Sequence, residues 1–428
     1  PSSCRATASA STSGGSEAVR GAIALAAPVP FLLAVPQQAL AQARDIGSTA
    51  SAVYPNDKAY RELPMRLGSL NVSLGGEARV EYDTNVYATP SNARDDVHLE
   101  LTPELQVSTG QGTLTGQAHA AATVRRFANL KTENTEAWSL DGTLRWSPYA
   151  TTSLTGRAFW NRTVEERGSP ESRQDPNSGP REIDSLGADL RFRHMARRIL
   201  FDLQGNFTKF DAVSRADDNR DFNGMNGVAT VGWRVTGITS VTASAFIARR
   251  DFRQEFTPTG EKRNTTTWGG RLGVEFEPGG VLQGNLSAGV FRFSPDEKTI
   301  PGRTGLSVSG SLTYRPRERT AIMLDAFNGD VATFRSGAQG RTDTTLKLSV
   351  QQEIRHNLFA TVAAGYRRTR YVGTGVKEQT PTVQGEVEYV VSRNMSVAGY
   401  ATFGKRNSDD ASQEFDRLKL GASFRLRF

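Results

Sequence analysis

From residue 418 to the end of the chain every second side chain is apolar: Leu418, Leu420, Ala422, Phe424, Leu426 and Phe428 alternate with Lys419, Gly421, Ser423, Arg425 and Arg427. A two-residue period gives an extended chain one greasy face and one wet face, which a helix cannot do. The same alternation runs through Trp138, Leu140, Gly142, Leu144 and Trp146, through Trp268, Gly270, Leu272, Val274 and Phe276, and through Leu306, Val308, Gly310, Leu312 and Tyr314. Applied along the chain, it predicts strands near 71–82, 96–108, 112–127, 135–147, 150–163, 182–195, 197–211, 221–235, 238–255, 264–278, 280–294, 304–315, 318–331, 341–355, 357–372, 379–392, 394–407 and 414–428.

These segments are about twice the usual length of a soluble strand and match what a tilted strand needs to cross a bilayer. Their connections come in two kinds that take turns. Short ones (109–111, 147–149, 277–279, 315–317, 392–394) alternate with longer polar ones (83–95, 164–181, 212–220, 256–263, 295–303, 332–340, 408–413). A solenoid would repeat one turn type, whereas alternating short turns and long loops are the mark of a membrane barrel. Mean hydropathy is −0.46, which excludes a bundle of transmembrane helices. It does not exclude a barrel, where only every second residue meets lipid. The expected fold is therefore all-β: a transmembrane up-and-down antiparallel β-barrel of about 18 strands over residues 71–428.

Aromatic residues are expected in two girdles at headgroup level. Trp146, Phe192, Phe201, Trp233, Phe276, Tyr314, Phe359, Tyr389 and Phe428 fall near the short-turn ends of the strands. Tyr82, Phe127, Trp138, Trp160, Phe207, Phe252, Trp268, Phe291, Tyr366 and Phe403 fall near the long-loop ends.

Ahead of the strands, Arg5 and Arg20 precede the apolar run 22–35 and the small-residue stretch Ala39-Leu40-Ala41-Gln42-Ala43. This pattern reads as a secretory signal with an upstream extension over 1–43, followed by a short periplasmic lead-in over 44–70. The single cysteine, Cys4, lies before the apolar run, so no disulfide or thiolate metal site is expected in the remainder. The net charge of +7 is spread along the chain, which argues against nucleic acid as a partner. His98, His119, His194 and His356 have no metal-like spacing, and no serine–histidine or paired-carboxylate motif stands out, so no enzyme, cofactor or metal site is expected.

A barrel of this size leaves a water-filled lumen unless a loop fills it, so the default function is a conduit. Alternation assigns its lining to Glu77, Arg79, Glu81, Glu100, Glu104, Asp141, Arg145, Arg157, Asp189, Arg191, Arg193, Asp202, Arg271, Glu275, Glu386, Glu388, Arg425 and Arg427. Two arrangements are open. The acidic wall of Glu77, Glu81, Glu100, Glu104, Glu386 and Glu388 would set a transverse field against Arg145, Arg157, Arg191 and Arg193, or each charge would pair with a cross-strand neighbour. A basic rim is expected at the long-loop end from Arg125-Arg126, Arg249-Arg250 and Arg367-Arg368. One member of each pair would face out toward lipopolysaccharide phosphates, the other in toward an anionic polymer.

The segments Glu81-Tyr82-Asp83-Thr84-Asn85-Val86-Tyr87 and Asp95-Asp96-Val97-His98-Leu99-Glu100-Leu101-Thr102-Pro103 resemble the start of the putative β-barrel porin 2 family of proteobacterial outer-membrane proteins. The resemblance implies a barrel over essentially the whole mature chain, in the Gram-negative outer membrane, and a part in exopolysaccharide or capsule export with periplasmic export components as partners. General porin activity and a closed-lumen surface barrel remain alternatives. The end of the chain, with Gly421, Phe424 and Phe428, looks like the signal read by the barrel assembly machinery.

Overall fold

The computed structural model describes residues 60, 64–110, 112–257, 260–335, 337–338 and 340–428. The expected signal over 1–43 and most of the 44–70 lead-in lie outside these residues. A three-residue strand, Met65–Leu67, pairs with the first long strand. We number the long strands β1 (Leu70–Asp83), β2 (Asp96–Thr109), β3 (Leu114–Phe127), β4 (Thr135–Tyr149), β5 (Thr152–Val164), β6 (Glu182–Ala196), β7 (Ile199–Ala212), β8 (Phe222–Arg234) and β9 (Thr239–Phe252). They continue with β10 (Thr265–Phe276), β11 (Leu282–Pro295), β12 (Arg303–Arg317), β13 (Thr320–Val331), β14 (Gly340–Arg355), β15 (Leu358–Val372), β16 (Lys377–Ser392), β17 (Met395–Ser408) and β18 (Phe415–Arg427).

Each strand pairs antiparallel with the next, and β18 returns to β1 with Leu420 opposite Tyr82 and Phe424 opposite Ala78. At the seam the Phe428 N–H donates to the Leu74 carbonyl (2.8 Å) and the Leu74 N–H donates to the Phe428 carbonyl (3.0 Å). The sheet is therefore a closed 18-stranded barrel with no free edge, the condition for β-structure in lipid, where an unpaired backbone group costs several kcal/mol.

The two faces separate as the alternation requires. Leu186, Leu190, Leu272, Val290 and Val362 point away from the barrel and are more than half exposed. Gln351, Ser307, Asp202 and Glu81, on the inner face, are buried polar residues. Most of the interior is thus polar, and apolar packing is confined to small clusters. One holds Ile183, Phe210, Phe222, Phe252 and Ala332, and another Val86, Tyr87, Phe127 and Leu130, both at the long-loop end.

Two expected turns are strand instead. Pro148 and Pro316 lie inside β4 and β12, next to register shifts at Trp146/Tyr149 and Tyr314/Arg317. A bulge leaves a residue unpaired, so a proline without an N–H is tolerated there and the turn moves two residues on.

The girdle expectation also needs correction. Trp146, Trp233, Tyr314, Tyr389 and Phe428 at one end, and Tyr82, Trp160, Trp268 and Phe403 at the other, are exposed on the outer face. Phe127, Phe252, Phe291 and Phe359 are buried and point inward. Depth along the strand places them at girdle height, but their parity is that of the inner face.

Four inward rings follow a common design. Phe159 lies opposite Gly187, Phe246 opposite Gly269, Phe291 opposite Gly305 and Tyr400 opposite Gly421. In each pair a Cβ on the glycine would collide with the ring, so the ring lies flat in the trough that the glycine leaves. An arginine covers each ring: Arg157 over Phe159 (4.9 Å), Arg271 over Phe246 (4.6 Å), Arg303 over Phe291 (5.9 Å) and Arg79 over Tyr400 (5.2 Å). Glycine, ring and guanidinium thus stack as three layers on the inner wall.

Candidate functional site

Most of the lining charges are paired locally. Around β16, β18, β1 and β2, Arg425 reaches Glu77 (3.2 Å), Glu386 (3.8 Å) and Glu388 (3.1 Å). Arg79 lies between Glu77 (3.1 Å) and Glu100 (3.9 Å), Lys419 reaches Glu81 (3.1 Å), and Glu104 meets Arg427 (3.8 Å). On the other wall Arg157 lies between Asp141 (3.8 Å) and Asp189 (3.5 Å), Arg191 and Arg193 share Asp202, and Arg193 also reaches Glu275 (2.7 Å). Each wall is neutralised within itself, so the opposed acidic and basic walls do not stand as two uncompensated sheets of charge. Arg145 is exposed and donates to the Ser147 hydroxyl (3.1 Å).

The basic rim divides between the two faces of the wall. Arg125, Arg250 and Arg367 lie on the inner face, and Arg126, Arg249 and Arg368 on the outer. Two of the inner members are engaged by carboxylates: Arg125 binds Glu100 and Glu166 (both 2.8 Å), and Arg250 binds Asp330 (2.7 Å). Outside, Arg126 pairs with Glu136, and Arg249 with Asp251 (2.8 Å) and Asp296 (2.7 Å).

The feature that the sequence left open is the β5–β6 connection, 165–181. It folds across the long-loop end of the barrel. Beside its origin, Arg167 makes a buried two-pronged bond to Glu133 (2.9 and 2.7 Å). Toward β18, the Arg417 guanidinium donates to the Arg167 carbonyl (2.8 Å), and from β17 Arg406 donates to the Gly168 carbonyl. Gly168 has φ +86°, and a Cβ there would meet the Phe415 ring at 2.9 Å, so glycine is required at this approach. At the far side Glu171, held at φ +66°, accepts from the Thr333 hydroxyl (2.7 Å) and the Phe334 N–H (2.8 Å) and pairs with Arg341 of β14 (3.3 Å). On the remaining side Arg173 and Arg181 bind Asp217 (2.6 and 2.8 Å), and Arg220 binds Glu165 (3.1 Å). Because β14 lies half the ring away from β5, the Glu171–Arg341 contact crosses the full width of the mouth.

Glu166, Arg167 and Glu171 were not singled out by alternation, which carries no information in a loop. Their only sequence signal is the charge density of Glu165-Glu166-Arg167 and of Glu171 to Arg173 inside the longest connection. Losing one partner of a buried pair strands the other and costs roughly 3–5 kcal/mol. Arg167→Met is therefore expected to loosen the segment and speed proteinase K cleavage within 165–181 in folded protein; an unchanged digestion rate would show that the pair does not hold it.

Burial alone would raise the Glu166 carboxyl, but the charges of Arg125, Lys419 and Arg417 outweigh it and hold it well below the usual carboxylate range. With the seated value lowered, the stabilisation is present above the free pKa and is lost only as pH falls through the seated one. Channel current should accordingly stay level from pH 7 down to about pH 4, near where free glutamate titrates. A step in current at pH 5–6 in bilayer recordings would contradict this seating.

Among the histidines, His98 lies by Glu81 (3.8 Å) and against the Phe127 ring (4.7 Å), and His119 lies by Asp141 (3.5 Å). No group of three or more His, Cys, Asp or Glu arranged to hold a metal occurs among the described residues. Phe424 of β18 and Phe428 just beyond it are exposed on the outer face, and Gly421 lies under Tyr400.

No curated protein matches the sequence. Solved structures with a similar fold include the outer membrane protein OpdK from Pseudomonas aeruginosa, at 13% identity over 84% of this chain and 99% of that one, with a TM-score of 0.44. The siderophore receptor PirA from Acinetobacter baumannii matches at 7% identity over 87% and 81%, with a TM-score of 0.42. A mutant of the ferric enterobactin receptor PfeA from Pseudomonas aeruginosa matches at 9% identity over 83% and 80%, with a TM-score of 0.41. The family model described as putative beta-barrel porin 2 matches residues 58–428. With its closed barrel, polar inner wall and family match over most of its length, the chain belongs to the putative beta-barrel porin 2 family.

Proposed function

We propose that this porin-family barrel is a conduit for hydrophilic solutes in the Gram-negative outer membrane, narrowed on its extracellular side by the 165–181 segment. The observation that carries the reading is the Glu171–Arg341 contact across the mouth. A segment fixed on both sides by ion pairs limits the size of what enters, while the paired polar wall below it keeps the passage wet. Bilayer recording of the refolded barrel tests this: discrete conductance steps are expected, and silence in all conditions would refute it.

Export of exopolysaccharide or capsular polysaccharide is the narrower reading, supported by the family resemblance of the first hairpin. It requires the segment to yield, since a continuous hydrated chain must thread the mouth that the segment narrows. Periplasmic export components, an anionic polysaccharide, lipopolysaccharide and the barrel assembly machinery are the partners this reading calls for. Liposome swelling separates the two. Monosaccharide entry with oligosaccharide exclusion supports the selective porin, and oligosaccharide entry through the intact barrel supports export.

A further inference from the structure

Seven arginines among the described residues are buried: Arg79, Arg167, Arg220, Arg250, Arg271, Arg341 and Arg406. Six of them have a carboxylate within 4.0 Å. Arg271 has none among the described residues. Its guanidinium lies over the ring of Phe246, 4.6 Å from the centroid, and its Nε has no hydrogen-bond partner. Two carboxylates of the neighbouring wall are committed elsewhere: Glu275 to Arg193 (2.7 Å), and Asp330 to Arg250 (2.7 Å) and Arg303.

The other three arginines that cover a ring in a glycine trough are all paired with acids: Arg157 with Asp141 and Asp189, Arg303 with Asp330, and Arg79 with Glu77 and Glu100. The same device has thus been built four times and left uncompensated once. Arg271 stands in the middle of β10, facing inward, and its cross-strand neighbours on that face are small, Ser244 on β9 and Gly289 on β11. A buried, unneutralised cation inside a membrane barrel is costly unless it has work to do. Resting on a ring fixes the guanidinium plane and leaves its N–H edges for a planar acceptor.

We propose that Arg271 is the binding station for an oxyanion, a carboxylate or phosphate carried by a solute in transit, with Phe246 as its platform. The proposal rests on the conduit reading above. Solutes carrying that group pause at mid-barrel, and those without it do not.

The test uses the refolded barrel in planar bilayers with glucuronate, glucose 1-phosphate and glucose as probes. Glucuronate and glucose 1-phosphate are expected to block chloride current in the native barrel, and glucose is not. Block by only one of the two anions identifies whether carboxylate or phosphate is preferred. In Arg271→Gln the block should weaken roughly ten-fold, the scale set by one lost charged hydrogen-bonded contact, while Arg271→Lys keeps part of it. Calorimetric titration of glucuronate and glucose 1-phosphate into the detergent-solubilised barrel reads the same site without current, and heat-modifiable migration on gels shows that each variant is folded. Conducting channels whose block by both anions is the same in native and Arg271→Gln protein would overturn the station alone. Absence of conductance would overturn the conduit, and the station would then stand or fall on whether binding of either anion in the titration depends on Arg271.

Discussion

Excising residues 166–180 is expected to raise single-channel conductance by roughly two-fold or more, because the segment reaches the opposite wall and an 18-stranded barrel without it has a wider lumen. The ends of β5 and β6, Val164 and Glu182, already lie opposite each other in the sheet, so a short Gly-Ser turn closes the gap without disturbing the ladder. A milder variant guards against misassembly. Glu171→Ala removes the far anchor to Arg341, Thr333 and Phe334 while Arg167–Glu133 still holds the near side. It should give an intermediate state that flickers between the native level and the excised one. Equal conductance in native, Glu171→Ala and excised protein would show that the segment does not limit flow.

Gly305→Ala is expected to destabilise the barrel by about 1–3 kcal/mol, the usual cost of forcing a methyl group into packed space. The ideal Cβ at this position would sit 2.6 Å from Phe291 Cζ and 2.7 Å from Cε1, and Phe291 is itself 2% exposed. Every close atom belongs to the ring, so the penalty should vanish when the ring is removed. Phe291→Ala alone should cost about 3–5 kcal/mol, and adding Gly305→Ala to it should cost little more. The coupling between the two is then about 1–3 kcal/mol, read from urea midpoints in lipid vesicles. Additive losses would mean that Gly305 is needed for its backbone and not for the trough.

Physical chemistry explains which parts of this molecule were legible in the sequence. Strand number, pairing order and face follow from a period of two, a local property written in every strand from Leu70 to Arg427. Parity places Arg250 and Arg367 on the inner face and Arg249 and Arg368 on the outer. Where depth was used without parity it failed: Phe127, Phe252, Phe291 and Phe359 lie at girdle height but on the inner face. The Pro148 and Pro316 turns shifted because a bulge excuses a missing N–H, and bulges have no periodic signature. The seat of the 165–181 segment joins residues from β3, β14, β17 and β18, contacts that exist only once the sheet has closed. Arg271 was assigned to the lining by parity, but its lack of a counter-charge emerges only from the complete pattern of ion pairs.

The segment that leaves β5 spans the barrel and rests on β14. Joining Glu171→Cys and Arg341→Cys with a bifunctional thiol reagent of about 10 Å, the reach of the two side chains they replace, tests it most directly. An efficient intramolecular cross-link is expected in the folded barrel, and it should fix the low-conductance level. Absence of an intramolecular product in folded, conducting barrels, or cross-linking that leaves the current fluctuating as in the untreated variant, would contradict it.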